Sequence, residues 1–207
     1  MRILVLLTIA SMCSAACSDP EHERIVKTTQ PTYHKDTGRL VELTFDRNRN
    51  GTVDTWTEMD GSRMLRSRSD LDEDGTIDRW EYYDDRGGLM KVGFSRAHDG
   101  REDAWAFAGP DGRVVRIEIS SSADPGRIDR WEYYEGGILL SADEDTSGDG
   151  RPDKTETYES GVITMVVVDD DGDGRLDRRL RYSNGTLTTI ESERDESGAF
   201  RRSVNVK

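Results

Sequence analysis

Glycines return along this chain at an interval near two dozen residues, at 51, 75, 100, 126, 150, 174 and 198, with steps of 24, 25, 26, 24, 24 and 24. A fixed period of this length means that one supersecondary unit is copied, each copy burying its apolar side against the next. The copies are close: Asp-Arg-Trp-Glu-Tyr-Tyr stands verbatim at 78–83 and at 129–134. Residues 32–207 therefore read as one repeat domain of about seven units.

Each unit has four parts. An acidic loop comes first, then a short aromatic run such as Trp56 to Met59 or Trp80 to Tyr83, then a tight turn. The turns are Asp60-Gly61, Gly87-Gly88, Asp111-Gly112, Gly136-Gly137, Ser160-Gly161 and Asn184-Gly185, which are hairpin dipeptides or close relatives. A second apolar run closes the unit. In it Val41, Leu43 and Phe45 alternate with Glu42 and Thr44; Met90, Val92 and Phe94 with Lys91 and Gly93; Val115, Ile117 and Ile119 with Arg116 and Glu118; Ile163, Met165 and Val167 follow suit. Alternation at period two predicts strands with one buried face, and the runs are too short and too β-branched for helix. The expected fold is all-β: an antiparallel β-hairpin repeat array of about fourteen strands, a meander that rolls or stacks like a solenoid to hide its apolar face. Two units would also match one four-stranded blade, so a β-propeller-like fold with two repeats per blade is the alternative. The last unit, 193–207, lacks the acidic ladder and is expected to cap the array.

The acidic loops carry the chemistry. Loop two presents Asp70, Asp72 and Asp74 on alternate positions, then Gly75, Asp78 and Glu81. Oxygen donors crowded this closely repel one another unless a divalent cation sits between them, and the glycine lets the chain turn around the ion. Loop six (Asp169, Asp171, Asp173, Asp177) and loop five (Asp145, Ser147, Asp149, Asp153, with Glu156 beyond) come next. Loop one (Asp46, Asn48, Asn50, Asp54) is less charged, and ligand charge tunes affinity. Loop three keeps only Asp99 and Asp103, and loop four only Asp124 and Asp129. Calcium, as several ions, is the expected cofactor, because magnesium tolerates such a flexible all-protein cage poorly. The competing reading is turn chemistry, in which Asp and Asn only accept backbone N–H groups. Survival of the last Asp as Asp103 and Asp129, where the ladder is gone, fits that reading for its column.

The alternating Asp/Asn pattern with its glycine resembles the calcium loops of EF-hand proteins and the β-hairpin calcium loops of integrin-type propeller repeats. The EF-hand resemblance implies a closing bidentate Glu, at Glu81 and Glu156. Loops one and six carry Thr57 and Leu180 there, which favours the strand-flanked kind, with ligands at the first, third, fifth and ninth positions. Glu132, beside a loop with no ladder, is expected to be a strand residue.

At the other end, Arg2, the apolar run Ile3 to Ala10 and small residues up to Cys17 predict a signal peptide over 1–16. Ser14-Ala15-Ala16-Cys17 resembles the bacterial lipobox, which implies acylation of Cys17; ordinary signal cleavage is the other reading, and the protein is then secreted. Cys13 leaves with the signal and Cys17 carries lipid, so no disulfide is expected. Residues 17–31 read as lipid-attachment cysteine and flexible tether. A net charge of −13 argues against nucleic acid or an anionic membrane surface as partner, so the membrane is met through the lipid anchor only.

Trp56, Trp80, Trp105 and Trp131 form one column and Tyr83, Tyr134, Tyr158 and Tyr182 another. They predict a cross-strand ladder, or else a platform on which Trp80 and Trp131 stack sugars or peptides. His22, His34 and His98 fall into no nucleophilic or phosphate-binding constellation, and His98 is expected at the surface, so no enzyme is expected. The reading is a lipid-anchored protein of the bacterial cell envelope, expected at the outer membrane. It is a structural or binding module with an envelope protein or glycan as partner. The alternatives are a lectin-like carbohydrate- or peptide-binding module, and a fragment resembling the tyrosine-aspartate repeats of toxin shells, suggested by Tyr83-Asp84 through Gly87-Gly88-Leu89.

Overall fold

A computed structural model describes residues 28–121 and 126–206. The signal segment, Cys17 and Asp124 lie outside the described residues. The strands are β1 (Thr29–Tyr33), β2 (Leu40–Phe45), β3 (Thr55–Asp60), β4 (Arg63–Ser69), β5 (Arg79–Tyr83), β6 (Leu89–Phe94), β7 (Ala104–Ala108) and β8 (Val114–Ile119), followed by β9 (Arg130–Glu135), β10 (Ile138–Glu144), β11 (Lys154–Glu159), β12 (Val162–Val168), β13 (Arg178–Ser183), β14 (Thr186–Arg194) and β15 (Phe200–Asn205). They form one open antiparallel sheet whose spatial order is the sequence order, β1 through β15. Strands that are not neighbours hardly touch, so the sheet is a single layer. One continuous ladder is the hairpin meander expected from the repeat, and it does not break into propeller blades.

The array starts earlier than 32. Thr29 pairs with Phe45 and Pro31 with Leu43, so the last part of the expected tether is strand. Pro31 sits on an outermost strand, where a missing N–H costs little. The opposite edge, β15, presents Arg201 and Arg202 to solvent, charges that discourage further strand pairing.

A single layer cannot make a thick core; most of the buried strand residues fall in one row, and a second buried set, Asp54, Asp70, Ser95, Ser120, Asp129, Asp145 and Asp153, lies at the ends of the acidic loops. Register aligns Ser67, Glu81, Val92, Ala106, Ile117, Glu132, Ala142, Glu156 and Val166 across consecutive strands on one face. Ser67, Val92, Ala106, Ala142, Glu156 and Val166 in this row are all buried. Expectation and structure part at β12: Val166 holds the buried row, while Met165 and Val167 face the other way. The run Val162 to Val168 is apolar on nearly every position, so it carries no alternation, and pairing with Glu156 sets its face.

Three buried-row positions are glutamates. Arg79 Nη2 and Tyr83 Oη donate to Glu81 at 2.8 and 2.6 Å. Arg130 and Tyr134 hold Glu132 at 2.9 and 2.7 Å; Lys154 and Tyr158 hold Glu156 at 2.8 and 2.7 Å. A cation, a glutamate and a tyrosine at i, i+2 and i+4 share one face of a strand, so each carboxylate is neutralised in place. Arg130 also reaches Glu156 at 2.9 Å, tying β9 to β11.

Because the chain is a meander, every even-to-odd connection emerges at one end of the sheet and every tight turn at the other. The turns Gly136-Gly137, Ser160-Gly161 and Asn184-Gly185 have both residues at positive φ, the backbone that matches strand twist. A register shift next to the turn recurs in each hairpin, for example at Glu58/Met59, Tyr82/Tyr83 and Thr157/Tyr158. Successive acidic loops are two strands apart, about 9–10 Å along the edge.

Candidate metal centre

The segments between strands at this end are the six acidic loops 46–54, 70–78, 95–103, 120–129, 145–153 and 169–177, and the short last connection 195–199. Their wiring repeats. The first residue accepts from the glycine N–H at the sixth position: Asp46 from Gly51 (2.9 Å), Asp70 from Gly75 (2.9 Å), Asp145 from Gly150 (2.9 Å) and Asp169 from Gly174 (2.8 Å). In loop three Ser95 Oγ takes this place, accepting from Gly100 at 3.2 Å. The fifth residue accepts from the seventh, as Asn50 does from Thr52 (2.7 Å) and Asp74 from Thr76 (2.7 Å). The ninth reaches back across the loop: Asp54 accepts from the Arg47 N–H (2.8 Å), Asp78 from Leu71 (2.6 Å), Asp103 from Arg96 (2.8 Å), Asp129 from Ser121 (3.0 Å), Asp153 from Thr146 (3.0 Å) and Asp177 from Asp170 (2.7 Å). This is the turn chemistry anticipated for the ninth column, and it occurs in all six loops.

What distinguishes the loops is which oxygens remain. In loop one, Asp46 accepts with both oxygens, and Asp54, fully buried, has both taken by the Arg47 N–H and the Thr55 hydroxyl. Glu73 of loop two accepts from the side-chain amides of both Asn48 and Asn50, so the neutral loop borrows a carboxylate from its neighbour. In loop five, Asp145 takes N–H bonds from Gly148, Asp149 and Gly150, and Arg127 approaches it at 3.5 Å. Burial pushes the Asp145 carboxyl up, but the glycine N–H groups, Ser147 and Arg127 outweigh it and hold it low. Asp153 is held low in the same way, against its burial, by Thr146 and Ser147. Among the described residues, Asp145, Asp149 and Asp153 do not draw together as a ligand group.

Loops two and six differ. One carboxylate oxygen each from Asp70, Asp72 and Asp74 lies within 4.8 Å of the others, and so do oxygens of Asp169, Asp171 and Asp177. Donors on opposite sides of a calcium ion, each about 2.3–2.6 Å from it, stand about 5 Å apart, so these groups have the right breadth. Asp70 is 7% exposed, and its Oδ1 has no hydrogen-bond partner. In loops one, five and six that oxygen is taken by the N–H of the fourth residue, Arg49, Gly148 or Gly172. A buried carboxylate oxygen without a donor is costly, and a cation removes the cost. The oxygen donors of loop two therefore fit calcium.

Other expected ligands fall elsewhere. Asp173 is not part of the loop-six group. Glu81 lies in β5 with its oxygens engaged by Arg79 and Tyr83, and Glu156 is likewise enclosed in the sheet. Asp78 gathers not with Asp70 and Asp74 but with Asp72 and His98. Trp80 and Trp131 are half-buried on the face opposite the buried row, Trp80 between Arg68 and Gly93 in register and Trp131 between Glu118 and Asp143. The reach of Glu73, Arg127 and His98 into neighbouring loops was not visible in sequence; Arg49, Glu73 and His98 share the fourth loop position, where the structure gives positive φ.

No protein-family model and no curated protein matches the chain. Among solved structures, the crystal structure of accessory secretory protein 1,2 and 3 in Streptococcus pneumoniae is similar over 52% of this chain and 19% of that chain, at 16% identity and a TM-score of 0.39. The crystal structure of TcdB2-TccC3-TEV is similar over 86% of this chain and 15% of that chain, at 14% identity and a TM-score of 0.19. That of TcdB2-TccC3-Cdc42 has the same coverage, 12% identity and a TM-score of 0.21. This chain spans less than a fifth of each of these chains, and likeness at this level carries no argument about function.

Proposed function

We propose that this chain is a lipid-anchored protein of the bacterial cell envelope, anchored through Cys17, whose hairpin array binds calcium along its loop edge and serves as a structural or binding module. The partner it presents itself to is an envelope protein or glycan, not nucleic acid. The observation that carries the reading is the buried Asp70 carboxylate, whose Oδ1 has no partner while two further carboxylates converge on it. A single-layer sheet has little apolar burial to draw on, so ions that cancel repulsion between carboxylates and fix the loops supply stability that a thick core would otherwise supply. Loops two and six are the principal positions. Loop one, completed by Glu73, and loop five, approached by Arg127, are weaker.

Calorimetric titration of the purified protein with calcium tests this. The expected result is saturable binding that loses one site in Asp70→Asn; absence of binding at millimolar calcium contradicts it.

A further inference from the structure

In loops two and three the fourth residue leans over the loop before it. Glu73 does so on loop one, where it meets the neutral Asn48 and Asn50. His98 does so on loop two, where it meets carboxylates. The side chain supplied from the neighbouring unit thus complements what the receiving loop lacks: a carboxylate over amides, an imidazole over carboxylates.

The second case has metal-site geometry. His98, with φ of 54°, brings a ring nitrogen within 4.8 Å of oxygens from Asp72 and Asp78. Asp78 is oriented for this. Its Oδ2 is fixed by the Leu71 N–H at 2.6 Å, and its Oδ1 stands 3.6 Å from His98 Nδ1. That separation is too long for a hydrogen bond but close to the roughly 3.3 Å between two donors on a tetrahedral zinc ion. Asp72 is exposed, and its Oδ1 accepts from the Asp74 N–H at 3.3 Å. Asp70 in the same loop is 7% exposed with Oδ1 unpartnered, and in the adjoining all-oxygen group its carboxylate lies within 4.8 Å of Asp72, which the two groups share.

We propose that Asp72, Asp78 and His98 form a second cation position, bridging loops two and three, that takes a borderline first-row divalent ion of the zinc class. Calcium is served by oxygen donors, whereas imidazole selects zinc and its neighbours. Asp72 then belongs to two adjoining positions, the all-oxygen one with Asp70 and Asp74 and the mixed one with Asp78 and His98. The inference rests on the reading of loop two as a cation site. The bridge joins two consecutive units across their loops, so zinc fixes the spacing of hairpins where calcium fixes one loop.

The test is titration of the full chain with zinc chloride, with and without saturating calcium, in the wild type and in His98→Gly. Glycine is the residue at the corresponding place in loops five and six, Gly148 and Gly172, and suits the positive φ. The expected result is a zinc site weakened at least tenfold in His98→Gly, while calcium affinity changes less than twofold. Zinc binding equal in the two proteins, as binding through His22, His34 or carboxylates alone would give, overturns the proposal. Calcium binding without zinc binding overturns it and leaves the calcium reading standing; absence of both removes both. Cobalt substitution gives a separate readout, a visible d–d band in the wild type that His98→Gly lacks.

Discussion

The backbone N–H of Asp70 donates to the carbonyl oxygen of Asp54 at 2.9 Å, so the first residue of one acidic loop is bonded to the last residue of the loop before it. The same stitch joins Ser95 to Asp78, Ser120 to Asp103, Asp145 to Asp129 and Asp169 to Asp153, at 2.8–2.9 Å. The loops therefore form a continuous hydrogen-bonded edge.

Asp54 holds its loop through hydrogen bonds of its own. It is 2% exposed and accepts from the Arg47 N–H and the Thr55 hydroxyl. Asp54→Ala leaves the Arg47 N–H without its acceptor, while the Thr55 hydroxyl keeps Ser69 Oγ at 3.2 Å, at a cost of about 1–3 kcal/mol. The loss in urea-unfolding free energy is expected to be equal in calcium and in chelator.

The glutamates of the buried row depend on their flanking partners. Tyr134→Phe removes one hydrogen bond to Glu132 and is expected to cost about 1 kcal/mol. Arg130→Met costs more, about 2–4 kcal/mol, because Arg130 serves both Glu132 and Glu156. Chemical unfolding of the two variants gives the ranking directly.

Stability falls at both ends of the pH scale. Burial pushes the Glu156 carboxyl up, but Lys154, Tyr158 and Arg130 outweigh it and hold it at about 2, against an ordinary 4.5. Its contribution is present above 4.5 and lost as pH drops from 4.5 towards 2. Burial, and then the bonds to Glu81 and Glu132, push the Tyr83 and Tyr134 hydroxyls up from 10.0 to about 12. Their contribution is present below pH 10 and lost as pH rises from 10 to 12. Urea midpoints measured against pH should show both limbs, and Glu156→Gln should flatten only the acid one.

Gly93 makes room for a side chain from the adjoining segment. A Cβ there would clash with Glu102 Oε2, the atom that accepts from Trp105 Nε1 at 2.5 Å. Glu102 Oε1 accepts from Tyr82, whose hydroxyl is pushed up to about 12 by burial and then by this bond. Gly93→Ala displaces Glu102 from both partners and is expected to cost about 1–3 kcal/mol. Thermal melts should show a much smaller effect of Gly93→Ala in a Glu102→Ala background.

Much of this was legible in sequence because it is periodic. Alternation in Leu40 to Phe45 and the hairpin dipeptides specify the hairpins, and the two-dozen-residue step places every acidic loop at one end. In the almost wholly apolar β12 the alternation Ile163, Met165 and Val167 named the wrong face, because an apolar residue stands on both faces, and its buried residue, Val166, was settled by pairing with Glu156. The cation, glutamate and tyrosine triplets were missed as units: Glu81 and Glu156 stood at a spacing that suits a metal loop, and only pairing of Glu81 with Ser67 and Val92 puts them in the sheet. Contacts between loops, such as Glu73 with Asn48 and His98 with Asp78, depend on the distance between units and are invisible along the chain.

The most direct test is the melting temperature of the purified protein in millimolar calcium and in chelator, for the wild type and Asp70→Asn. At one hundred times the dissociation constant a single site adds about 2.7 kcal/mol, which for a domain of this size is about 5–10 °C. The account predicts a rise of at least that size in the wild type and a smaller one in Asp70→Asn. Superimposable wild-type curves in calcium and chelator would contradict it.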